Sequence, residues 1–311
     1  VPPAAADLPY VSRLRVRNPR SVRMLQLTDI HMFAGDASYY EVMNKKTMED
    51  VAALIAATKP DLVIFTGDLW RDHPPEEVDN YARHVIGQCG GLGVPWAYVW
   101  GNHDQVGDRA AINDLITKAP NSLYRGGVSD GNYVINLEDR HGKVVWQFLC
   151  INTCTTGMVA PQQAWVKSLP DDIGGGRRGD TPRMAAFHIP LKQYGTVWEN
   201  GTARGIKCEG IGFGEEDGSS LGVLKSAGVK ACFCGHDHVN DYSGVIDGMD
   251  LIYGRATGRG GYGALQVRKG GKLYTLDGRT GKYRWESVLP DGTRWVPGPD
   301  ERVDKTPRDK R

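Results

Sequence analysis

Apolar residues along the chain alternate between two periods. Met24 to Leu27, Leu62 to Phe65 and Trp96 to Val99 are short, largely apolar runs of the kind a buried parallel strand shows. Between the first two, Met48, Val51, Ala52 and Ile55 recur at helical spacing until Lys59-Pro60 stops the helix. Pro75 opens a second helix that runs to Ile86. The result is a βαβαβ start with parallel strands. From Asn132 the pattern changes. Tyr133 to Leu137 and Val144 to Ile151 read as an antiparallel pair turned at His141-Gly142, with no room for a helix between them, so a second sheet begins here. Further on, helices are predicted over Pro161 to Ser168 and Ser219 to Ala227. Short strands are predicted over Gly228 to Cys234 and around Val245, Leu251 and Leu265, and alternating strand character runs from Lys272 through Trp285. The glycine-rich stretches 171–180 and 210–218 read as loops.

These signals divide the chain into an extended leader over 1–20, one domain over 21–290, and a polar tail over 291–311 that is expected to be mobile. The chain of 311 residues is long enough for a substantial core, and its 40 glycines suit a site assembled from loops. With 38 basic and 37 acidic residues the formal charge is +1, so no global field favours nucleic acid or an anionic membrane. No apolar run approaches the roughly 18 residues of a membrane helix. The opening Val1-Pro2-Pro3-Ala4-Ala5-Ala6 reads as the small-residue start left by a removed leader, so export is expected, with a cytoplasmic protein as the alternative. The six cysteines do not decide between these. Cys150 and Cys154 are spaced to close a small loop, Cys232 and Cys234 to pack on one buried strand, and no Cys-x-x-Cys zinc pattern occurs.

Chemistry concentrates in five motifs: Thr28-Asp29-Ile30-His31, Gly67-Asp68-Leu69, Gly101-Asn102-His103-Asp104, Phe187-His188 and Gly235-His236-Asp237-His238. Five of the eight histidines lie in them, and the first three motifs each follow a predicted strand, where α/β sheets place their sites. Taken singly, Asp29 and Asp68 read equally well as turn or cap residues, and His188 as a packed histidine. Jointly they offer enough oxygen and nitrogen ligands for two metal ions side by side. Asp68 is the natural shared anion between two cations that repel each other. Asp29 and His31, and again His236 and His238, stand two apart, which on a strand puts both side chains on one face. Such a centre keeps surplus positive charge and favours a phosphate-like anion.

The order and content of these motifs resemble the calcineurin-like metallophosphoesterase superfamily, over roughly Arg23 to Gly263. His188-Ile189-Pro190 and Gly235 to Asp241 look most similar to its small fungal and plant purple-acid-phosphatase-like branch. The resemblance implies an α/β fold of two mixed β sheets packed face to face with flanking helices. It implies Asp29, His31 and His238 on one metal, Asn102, His188 and His236 on the other, and Asp68 bridging. His103 would bind phosphate and help the leaving oxygen depart, and Asp104 would orient His103. Further substrate contacts are expected from Asn102, Arg71, His73 and Arg255, although Arg255 reads equally as a surface-loop residue and His73 reads more readily as an exposed loop histidine. Trp70, Phe33, Tyr39 and Tyr40 are candidates to line the cleft or simply to cover the core. The cofactors implied are two divalent or trivalent ions, iron, manganese or zinc, and the partner is a phosphate-ester substrate, with oligomeric state left open.

The function this implies is hydrolysis of phosphate monoesters by a hydroxide held between the metals. The alternatives are a phosphodiesterase acting on nucleotides or lipid headgroups, and a noncatalytic metal-binding scaffold. One departure from the family pattern carries a test. Purple acid phosphatases have a tyrosine three residues after the bridging aspartate, where this chain has Arg71, and a glycine where it has His31. Iron-loaded protein is therefore expected to lack the strong visible band of tyrosine-to-iron charge transfer, and an absorption spectrum checks it. A purple sample would mean that another tyrosine reaches the metal.

Overall fold

The computed structural model describes residues 8–33, 38–71 and 75–307. His73 and the first seven residues, which include the expected leader remnant, lie outside the described residues. The chain runs through β1 (Val11–Arg15), β2 (Val22–Leu27), α1 (Ser38–Thr58), β3 (Leu62–Thr66), α2 (Pro75–Gly90), β4 (Trp96–Val99) and α3 (Arg109–Lys118). It continues with β5 (Tyr133–Glu138), β6 (Val144–Cys150), α4 (Ala160–Ser168), β7 (Asp172–Ile173), β8 (Gly176–Arg177), β9 (Arg183–Ala186), α5 (Gln193–Glu199) and β10 (Arg204–Lys207). The last part is α6 (Ser220–Ser226), β11 (Val229–Cys234), β12 (Asn240–Ile246), β13 (Met249–Tyr253), β14 (Gly271–Leu276), β15 (Tyr283–Val288), β16 (Arg294–Trp295) and β17 (Arg302–Asp304).

The βαβαβ start builds half of a six-stranded sheet, in which β2, β3 and β4 are parallel and β14, β15 and β16 extend it antiparallel from β2. The second sheet has nine strands in the order β1-β5-β6-β9-β11-β13-β12-β10-β17, and β5 and β6 form the expected antiparallel pair. Both sheets are mixed, with helices outside them, as the resemblance implied. Strand alternation partitions the core. Ala231 and Phe233 of β11 join Leu25, Phe65, Phe148 and Tyr274 in one cluster, whereas Cys232 and Cys234 face the opposite way, toward Leu221 and Leu224 of α6. All six cysteines are free, so Cys150 and Cys154 close no loop.

Several boundaries differ from the sequence reading. β1 lies in the stretch expected as a leader and pairs with β5, and β17 lies in the expected tail and pairs with β10. Each is an edge strand held by main-chain hydrogen bonds, which need little apolar side-chain content. The stretch 171–180 holds the β7–β8 hairpin, folded over the buried Arg183, whose guanidinium donates to the Gly176 carbonyl at 2.9 Å. Leu265 forms no strand and is fully exposed. Stretch 210–218 is a loop, as read.

The two sheets are joined by a buried charge cluster. Asp241 on β12 accepts from Lys272 Nζ on β14 at 2.6 Å, from Arg255 Nε at 2.6 Å and from Ser287 Oγ on β15 at 2.8 Å. Asp241 and Lys272 are fully buried. Asp241→Leu is therefore expected to leave a buried ammonium without its counter-ion and to cost about 3–5 kcal/mol. Lys272→Met should cost less, because Arg255 still neutralises Asp241. Denaturant unfolding of the two variants beside the wild type checks the order.

Candidate metal centre

The site forms where β2, β3 and β4 of one sheet end opposite β9 and β11 of the other. The backbone there is not extended. Asp29, His31, Asp68 and His236 have φ of 53°, 47°, 54° and 78°, a left-handed conformation uncommon outside glycine. Asp29 and His31 thus converge through a turn rather than by sharing a strand face, and the same holds for His236 and His238. Main-chain bonds secure the turn: Asp29 N–H donates to Gly67 O at 3.1 Å, His31 N–H to Asp68 O at 2.9 Å and Met32 N–H to Leu69 O at 3.0 Å. Two glycines permit the close approach. A Cβ on Gly67 would lie 2.5 Å from His188 Nδ1, and one on Gly101 would lie 2.1 Å from Asp68 Oδ1.

Asp29, His31, Asp68 and His238 bring ligand atoms within 4.8 Å of one another, and Asp68, His188 and His236 form a second such group. Asp68 belongs to both. His31 Nε2 lies 3.0 Å from His238 Nε2 and 3.4 Å from Asp68 Oδ2, while His238 Nε2 lies 3.2 Å from Asp29 Oδ1. In the second group His188 Nε2 lies 3.2 Å from Asp68 Oδ2, 2.9 Å from Asn102 Oδ1 and 3.3 Å from His236 Nδ1. His188 Nδ1 donates to the Thr66 carbonyl at 2.7 Å, the outer bond that typically orients a metal-ligating imidazole. This structure brings together every residue expected to ligate.

The charges favour cations. Burial alone would raise the Asp29 carboxyl, but His238, His188 and His31 outweigh it and hold it well below the usual carboxylate range. Asp68 is likewise held down to about 2 against burial, mainly by His188. Burial would lower His188, yet Asp68 and Asp29 hold its pKa up at about 10. Burial prevails at His31 and His236, which fall to about 3 and about 4 and stay neutral. Facing imidazole nitrogens with ionised carboxylates behind them suit a pair of metal ions, and the nitrogen–oxygen donor set accepts iron, manganese or zinc.

The remaining candidates divide. His31, Asp68, Arg71, His103, His236 and His238 line one open cleft of about 480 Å³, so Arg71 and His103 share the cleft with members of both ligand groups. Asp104 takes a different part. Its carboxylate accepts from the backbone N–H of Asp68 (2.7 Å), Gly101 (2.8 Å) and Trp70 (3.2 Å), so it fixes the two ligand loops rather than the His103 ring. Burial, with Asp68 adding to it, pushes Asp104 up to about 6. Arg255 is committed to Asp241 and is no substrate contact, and Trp70 is fully buried in the core. Phe33 stacks on Tyr40 and lies under the Arg71 guanidinium, 4.8 Å from the ring centre.

Tyr262 escaped the sequence reading. It lines the cleft and stacks on His238, with ring centres 4.1 Å apart and planes 10° from parallel. The only signal was the glycine-rich run from Gly258 to Gly263, and its purpose is close approach: a Cβ on Gly261 would lie 2.6 Å from His238 Cε1.

Comparison with known proteins agrees with this fold. A family model described as calcineurin-like phosphoesterase matches residues 22–240. An Arabidopsis thaliana protein named probable inactive purple acid phosphatase 29 is 24% identical over 319 residues, 89% of this chain and 82% of that protein. Phosphatase DCR2 of Saccharomyces cerevisiae is 27% identical over 266 residues, 74% of this chain and 46% of its own length. Among solved structures, a dimetal phosphatase from Danio rerio superposes with a TM-score of 0.55 at 14% identity, covering 82% of this chain and 92% of that one. Purple acid phosphatase PPD1 from yellow lupin superposes with a TM-score of 0.52 at 13% identity, covering 88% and 52%. At these identities the structural likeness speaks to the fold.

The shared carboxylate makes a testable demand. Asp68→Asn is expected to lower metal content strongly, because two cations then lack their common anion. Gly101→Ala should do the same without altering any ligand, by displacing Asp68. Elemental analysis of each variant, purified without chelator, checks both; full occupancy in Asp68→Asn would refute the bridging assignment.

Proposed function

We propose that this chain, which belongs to the calcineurin-like phosphoesterase family, hydrolyses phosphate monoesters in the cleft above the two ligand groups. The observation that carries the reading is one carboxylate, Asp68, common to two metal-sized groups of ligands and open to that cleft. Two metal ions bound there would supply Lewis acidity for the phosphoryl oxygens and an activated water as nucleophile. The chain itself supplies position and protons. Asp29, His31 and His238 would hold one ion, Asn102, His188 and His236 the other, and Asp68 both. Arg71 brings a positive charge to the cleft wall, suited to a phosphate oxygen. His103 stands at the cleft with its backbone N–H donating to Asp68 Oδ1 at 2.9 Å, which ties its position to the bridge. Its imidazole is the group we assign to protonate the leaving oxygen.

A second reading, a metal-binding scaffold without turnover, is favoured by the name of the Arabidopsis relative, a probable inactive phosphatase. Against it stands His103, a cleft histidine outside both ligand groups. Turnover of a panel of mono- and diesters by manganese- or zinc-loaded protein separates the readings, and chelation should abolish it.

His103→Ala is expected to retain both metals and to lose about 10² to 10⁴ in rate on alkyl phosphates, the usual worth of general acid help. The loss should be smaller on nitrophenyl phosphate, whose leaving group departs without a proton. An equal loss on both esters would make His103 a charge that binds phosphate, and lost metal would make it a ligand.

A further inference from the structure

We propose that Tyr262 is a stacking platform for the leaving group, so that the site selects phosphate esters carrying a flat aromatic or heteroaromatic group; this rests on the phosphoesterase reading above. Tyr262 is the one large aromatic side chain lining the cleft among the described residues, and it is 54% exposed. One ring face is taken by His238, and at this exposure the rest of the ring is open to a planar group.

The ring is held rigidly for such a task. Its hydroxyl donates to Glu209 Oε2 at 2.7 Å, and Glu209 Oε1 accepts from the Val239 N–H at 2.9 Å. At the other end, the buried Lys269 donates through Nζ to the Tyr262 carbonyl at 2.6 Å. The loop behind it is clamped to α1 by Arg259, whose Nε and Nη2 reach Asp50 at 2.6 and 3.1 Å. A side chain fixed at ring, hydroxyl and backbone has little freedom left to lose, so a planar group stacks on it at small entropic cost. Arg71 lines the same cleft with its guanidinium over the Phe33 ring, a cation to meet the phosphate while the base or aryl group lies on Tyr262.

The test uses two esters with the same primary-alcohol leaving oxygen, adenosine 5′-monophosphate and ribose 5-phosphate, which carry adenine and a hydroxyl respectively at the anomeric carbon. Metal-loaded wild type is expected to favour the nucleotide in kcat/KM by about tenfold or more, in the range that base–aromatic stacking gives. Tyr262→Leu should bring that ratio close to one with metal content retained, while Tyr262→Phe, which keeps the ring and loses the Glu209 bond, should keep most of it. A wild-type ratio near one overturns the proposal, as does a ratio unchanged in Tyr262→Leu. Should nitrophenyl phosphate also fail to turn over, the phosphoesterase reading has failed. Calorimetric binding of the same two esters to metal-loaded wild type then decides the platform, equal affinities overturning it and tighter nucleotide binding supporting it.

Discussion

Asp68 is pinned from four directions, and the rest of the site depends on that. Its N–H donates to Asp104, its carbonyl accepts from the His31 N–H, Oδ1 accepts from the His103 N–H, and Oδ2 faces His31 and His188. A buried carboxylate with a left-handed backbone is costly twice over, in desolvation and in conformation. The surrounding bonds offset the second cost. The first is offset by the His103 N–H and by positive charge, whether protons on imidazole or metal ions. Ligand geometry, the raised His188 pKa and the placement of His103 all descend from this requirement.

How much of this was legible beforehand follows from where each signal lies. The ligands stood out because Asp, Asn and His recur just after apolar runs, and strands β2, β3 and β4 were readable because their apolar content is dense. β1 and β17 were missed because edge strands draw on main-chain pairing, which leaves no apolar mark. The turn at Asp29 to His31 was read as extended because spacing reports which residues are near in the chain and is silent on φ. Asp104 was assigned to the wrong neighbour for a related reason: its partners are backbone amides, and those carry no residue identity. Tyr262 was invisible because its role comes from the tertiary approach of a glycine loop to His238, residues 24 apart in sequence.

The packing behind the site is as specific as the site. Asp241, one turn of chain beyond His238, is neutralised by a lysine from the other sheet and an arginine from its own side. Lys272 thus carries the link between the sheets, Arg255 completes the neutralisation of Asp241, and the nearness of Arg255 in sequence to the last motif misleads. Buried ions that span two layers penalise any slip of one layer over the other, since a shift would leave a desolvated charge without its partner.

The ligand groups themselves cross the same boundary. Asp29, His31 and Asp68 come from the six-stranded sheet, His188, His236 and His238 from the nine-stranded one. Neither sheet alone owns a complete site for either ion. A bound pair of ions would thus be a clasp across the sandwich, and occupancy and docking of the layers would become one thermodynamic event: whatever strengthens binding to the folded form would stabilise the whole domain. Metal supply would then set how long the chain persists as a folded molecule.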